Sequence, residues 1–109
     1  MPRHEFGIML KDPKKRKRYD KFEPDKCDCI SVDDELIRPL LEKLSEVKCY
    51  WHILDRLEVG LAYTGINLIP PESCGLIKKV LKNEQGLSEL ASLLSKAEKE
   101  DKFVIHFGI

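Results

Sequence analysis

Residues 60–73, GLAYTGINLIPPES, can adopt few conformations. Leu61, Ala62, Tyr63, Ile66, Leu68 and Ile69 make the stretch nearly continuously apolar, as a strand covered on both faces requires. Pro70 lacks the N–H that would continue a ladder, and Pro71 suits the first position of a helix, where that N–H would be idle. The stretch is therefore expected to be the central strand of a small sheet, running directly into a helix. Alternation sets Ala62, Thr64, Ile66 and Leu68 on one face, expected to hold the helices, and Leu61, Tyr63, Gly65, Asn67 and Ile69 on the other. An aromatic, an amide and a glycine on the second face point to partial exposure and make it a candidate binding surface.

Three more strands and two helical regions are expected around it. HEFGIML (4–10) alternates Phe6, Ile8 and Leu10 against Glu5, Gly7 and Met9, and Asp12 and Pro13 end it. The long loop 11–30 that follows has no helical period, although Cys27 to Val32 can add a short extended piece. Ser31, Asp33 and Asp34 read as a helix start, because hydroxyl and carboxylate oxygens accept from the free N–H groups there. Ile37, Leu40, Leu41, Leu44 and Val47 then form one apolar stripe reaching to about Glu46. Pro39 cannot donate to the Glu35 carbonyl, so a break is expected, with a separate turn before it and the regular helix after it.

KCYWHIL (48–54) is the second strand, with Cys49, Trp51 and Ile53 opposed to Tyr50, His52 and Leu54, and Asp55 to Val59 connect it to the central strand as a tight hairpin with Gly60 near its end. Leu76, Ile77, Val80 and Leu81, then Leu87, Leu90, Ala91, Leu94 and Ala97, give two amphipathic helices parted by Asn83 and Gly86. FVIHF (103–107) is the last strand.

The order βαββαβ implies an α+β, ferredoxin-like domain over residues 1–109: a four-stranded antiparallel sheet with helices on one face and the first and third strands inside. FVIHF would then be an apolar edge, and pairing with a second copy would cover it. A homodimer through this C-terminal edge strand is accordingly expected.

Charge narrows the function classes. The 19 basic residues balance the 19 acidic ones, which argues against attraction of the whole domain to nucleic acid or a membrane surface. Basic charge is local instead, with seven Lys or Arg against two Asp in residues 11–21. Neither a secretory signal nor an apolar run of the ~18 residues a membrane span needs is visible, so a cytoplasmic protein with reduced thiols is expected.

Four constellations could carry chemistry. Cys27 and Cys29 with Cys49 and His52 supply soft ligands, but one residue between the first two is too few for the usual zinc spacing, and Cys49 and His52 point to opposite faces of a strand. No metal and no cofactor is expected. Cys49 or Cys74 could act as a nucleophile beside His4, His52 or His106, Cys74 gaining from its place in the first turn of a helix. Lys14, Lys15, Arg16, Lys17 and Arg18 could contact phosphates. The sheet face bearing Tyr63 and Asn67, which strand parity lets either Trp51 or the pair Tyr50 and His52 share, together with either His106 or Phe103 and Phe107, could take a ligand or partner.

No catalytic motif is present, so the expected function is a non-enzymatic protein-interaction or regulatory module, with a protein partner or a second copy and no membrane. The alternative is a nucleic-acid-binding module using the basic loop. A third reading is a small ligand-binding protein or enzyme using the open sheet face.

Overall fold

The computed structural model describes residues 3–9, 13, 29–51, 57–61, 65–82, 84 and 86–108. In chain order the elements are β1 (Arg3–Ile8), β2 (Ile30–Asp33), α1 (Asp34–Ile37), a 3₁₀ turn (Arg38–Leu40), β3 (Lys48–Trp51), β4 (Leu57–Val59), β5 (Ile66–Ile69), α2 (Pro71–Leu81), α3 (Ser88–Lys99) and β6 (Val104–Phe107). Among the described residues six strands form one antiparallel sheet in the order β2-β1-β6-β5-β3-β4.

The fold is α+β, but it is not the four-stranded ferredoxin-like arrangement. That arrangement needs the first and third of its four strands side by side. Here β6 lies between β1 and β5 and pairs with both, so the last strand is internal and its two edges are already used. The apolarity of FVIHF reflects a central position, and the expected dimer through it loses its premise. Two strands extend the sheet. β2 adds outside β1, and β4 adds outside β3 as the return of a hairpin.

Strand β5 is an inner strand, as its apolarity implies, and Pro71 opens α2. Its faces are the reverse of the expected ones. Asn67 and Ile69 turn toward the helices, since Ile69 joins Phe6, Val32, Cys49 and Val104 in one core with Ile37, Leu40, Leu44, Leu90, Leu94 and Ala97. Ile66 and Leu68 turn the other way, where they pack with Ile105 and Phe107, ringed by Met9, Cys29, Tyr50 and Phe103. All four inner residues of that second cluster are buried. With both faces buried, apolar alternation alone did not indicate which would take the helices.

The break expected at Pro39 is present, but the regular helix after it is not. α1 is a single turn, Pro39 sits in the 3₁₀ turn, and bonds of mixed span follow, from Leu44 N to the Leu40 carbonyl and from Ser45 N to that of Glu42. The stripe is still used, as Ile37, Leu40, Leu44 and Val47 are all buried. Ser31 belongs to strand β2 rather than to a helix start, and its hydroxyl donates to Glu5 across the strand pair. Both longer helices match their sequence patterns, except that Leu76 of α2 is exposed. They meet at Gly75, where an added Cβ would run into the Glu98 carboxylate. No helix among the described residues is long and apolar enough to cross a membrane.

Candidate functional site

Four polar side chains meet on the helix-side face of the sheet, and strand register explains why. β1 and β6 pair Phe6 with His106, which makes His4 a diagonal neighbour of His106 on the same face. β5 and β6 set Asn67 directly opposite His106. β1 and β2 set His4 opposite Val32, so Asp34, two residues on, arrives above His4 as β2 turns into α1.

The contacts form a chain. His4 Nε2 lies 3.0 Å from Asp34 Oδ1, His4 Nδ1 lies 2.9 Å from His106 Nε2, and His106 Nδ1 lies 3.0 Å from Asn67 Oδ1. Arg38, one helical turn after Asp34, donates from Nη2 to Asp34 Oδ2 at 2.6 Å. His4, His106 and Asn67 are fully buried and Asp34 is 2% exposed, whereas the Arg38 side chain is 65% exposed. The network therefore runs from the surface to an inner strand. Phe6 stacks on the His106 ring with centroids 4.5 Å apart, holding the imidazole plane from the apolar side.

Burial, reinforced by the neighbouring His4, pushes His106 down to about 3. It is neutral over the physiological range, with one ring nitrogen donating and one accepting. Every ring nitrogen of the two histidines already has a polar neighbour in the chain, so neither imidazole offers a lone pair to a metal. With these groups out of contact with solvent, the arrangement suits positioning and proton storage, and a substrate would not reach it.

The residues singled out from the sequence separate. Asn67 and His106 come together, but in the core and facing the helices, not on an accessible surface. Asn67 reads as an exposed amide from sequence because nothing local reveals its buried partner. Trp51 shares the helix-side face, half-buried, and its indole N–H donates to the Gly60 carbonyl at 3.2 Å. Tyr63 and His52 lie outside the described residues, as do Lys14, Lys15, Arg16, Lys17 and Arg18. Asp34, which reads as a helix cap, instead binds His4. Its pairing with a basic residue four positions on was the available signal.

Cys27 and His52 lie outside the described residues, and among those described no group of three or more His, Cys, Asp or Glu is set to hold a metal. Cys49 belongs to the helix-side core and Cys29 packs against the cluster on the opposite face. Burial pushes both Cys49 and Cys74 up to about 12, which outweighs any help Cys74 takes from the helix start. Alkylation of the native protein at neutral pH should accordingly leave Cys49 and Cys74 unmodified, with full labelling only in denaturant. Mass spectrometry of the labelled peptides reads this directly, and native labelling of Cys74 faster than a free thiol would contradict it.

Comparison with protein-family models, curated proteins and solved structures gives no match for this chain.

Proposed function

We propose that the chain is a non-enzymatic, cytoplasmic interaction module that takes up an extended segment of a protein partner along strand β4. The observation that carries this reading is the apolar character of that strand. Leu57 and Val59 are 52% and 55% exposed, and β4 ends the sheet among the described residues. Leu57 and Val59 stand opposite Tyr50 and Lys48, two residues apart on the strand, so both point to the same face. A strand added outside β4 would gain ladder hydrogen bonds from the backbone and would shelter both side chains, as in other cases of strand addition. Among the described residues the other end of the sheet offers no such surface. There Arg3 pairs with Asp33 and Glu5 accepts from Ser31, a polar edge of the kind that discourages association.

A non-enzymatic role is supported by the burial of the polar network, which keeps its imidazoles and carboxylate from any bound substrate. A reducing compartment is supported by the reduced, buried thiols of Cys49 and Cys74.

Selection from a displayed library of random peptides tests the reading. Peptides with apolar residues at alternate positions should be enriched. Their affinity should fall about tenfold or more in the double variant Leu57→Lys/Val59→Lys, since each lost apolar contact is worth roughly 1 kcal/mol. Selected peptides that bind the double variant as tightly as the native chain, or a selection that enriches nothing, would remove β4 as the docking site.

A further inference from the structure

Proton counting gives the buried network a property beyond holding the sheet together. The three contacts Asp34–His4, His4–His106 and His106–Asn67 each need one hydrogen between their heavy atoms. The Asp34 carboxylate and the Asn67 Oδ1 at the two ends are acceptors, so all three protons must come from the two rings. Two neutral imidazoles carry only two. With Asn67 Oδ1 turned to His106, satisfying all three contacts requires His106 to donate from Nδ1 and accept at Nε2 and His4 to donate from both of its nitrogens.

A second arrangement satisfies the same three contacts with one proton fewer. If the Asn67 amide turns over, its Nδ2–H donates to His106 Nδ1. His106 then donates from Nε2 to His4 Nδ1, and His4 donates from Nε2 to Asp34. In going from the first arrangement to the second, the His106 Nδ1 proton leaves to water or buffer, and the His4 Nδ1 proton crosses to His106 Nε2. Only the Asn67 amide has to turn, and each of the three contacts keeps its hydrogen.

We propose that the Asp34–His4–His106–Asn67 chain is a one-proton switch, in which loss of a ring proton is coupled to rotation of the Asn67 amide and alters the hold of Asp34 on Arg38. In the three-proton form the Asp34 carboxylate faces two cations, the doubly protonated ring of His4 and the guanidinium of Arg38. In the two-proton form Arg38 alone neutralises it. A rise in pH thus tightens the Asp34–Arg38 pair, and the solvent-facing guanidinium registers a change made at β5.

The surroundings leave these groups in charge of the titration. β1 contributes His4, β6 His106, β5 the uncharged Asn67, α1 Asp34 and the 3₁₀ turn Arg38. β2 sets Val32 against His4, while its Asp33 pairs with Arg3 on the other face of the sheet. The inward residues of α3 are Leu90, Leu94 and Ala97, none of which titrates.

Nuclear magnetic resonance of the full chain with ¹⁵N-labelled histidine and asparagine, titrated from about pH 5 to 9, tests this because the protonated ring nitrogen has its own shift. His106 should change from the Nδ1–H to the Nε2–H tautomer, and the Asn67 amide signals should move with the same midpoint. A His106 that keeps one tautomer while the chain is folded, or Asn67 signals that ignore the transition, would overturn the switch. The variant Asn67→Asp, whose carboxylate accepts only, should raise the midpoint by about one pH unit or more. An unmoved midpoint in that variant would also overturn it. Should the variant not fold, the native titration decides alone.

Discussion

Replacement of Asp34 by alanine is expected to destabilise the protein by about 3–5 kcal/mol, the usual cost of removing one partner of a buried ionic contact. Against the ~5–15 kcal/mol that holds a domain of this kind together, that is about a fifth of the total or more. The cost is not the Asp34–Arg38 ion pair itself. Arg38 is largely solvated, so water can enter in its place, and Arg38→Ala should cost less than Asp34→Ala, which also strands the His4 donor. The cost lies at His4, whose ring is fully buried and would keep a donor aimed at an empty, apolar space. Urea denaturation of the native chain and the two single variants measures both numbers. Equal losses for Asp34→Ala and Arg38→Ala would mean that the ion pair, and not the buried imidazole, is what Asp34 serves.

How far such a network could be foreseen depends on the range over which each residue finds its partner. The helices α2 and α3 were legible because their apolar period and the Pro71 start are local. The inner place of β5 was legible because a strand buried on both faces is apolar throughout. Strand order was not, since it turns on a pairing between the two ends of the chain: His4 and His106 are 102 residues apart. Nothing in FVIHF tells whether its apolarity fits an edge awaiting cover or a centre already covered. β2 escaped notice as a full strand for a different reason. Its serine and aspartate are the residues that favour helix starts, and only the cross-strand partners Arg3 and Glu5 make them suitable for a sheet edge. Asn67 shows the same limit at the site. An amide in an apolar strand suggests an exposed position, until a histidine on the neighbouring strand supplies its partner.

That buried histidine sets the second large effect, a loss of stability in acid. Desolvation holds His106 down to about 3 in the folded protein, against about 6.5 in the unfolded chain. Between these values the unfolded chain binds a proton at this residue that the folded one refuses, so unfolding becomes easier as pH falls. Linkage gives the slope, about 1.4 kcal/mol for each pH unit below 6.5, with the contribution fully present above that value and exhausted near 3. Carboxylates obscure the lower part of this window because they titrate near pH 4. The interval from about pH 6.5 to 5 is the informative one. There the native chain should lose about 2 kcal/mol or somewhat less, because the unfolded histidine is only partly protonated at the top of the interval. In His106→Gln no imidazole at this position has to be kept neutral, and the amide can still bond to Asn67, so the variant should be less stable than the native chain at pH 7 and should have the flatter profile. Denaturant melts at a series of pH values compare the two. Parallel profiles over this interval would show that His106 is not the group whose protonation opposes folding.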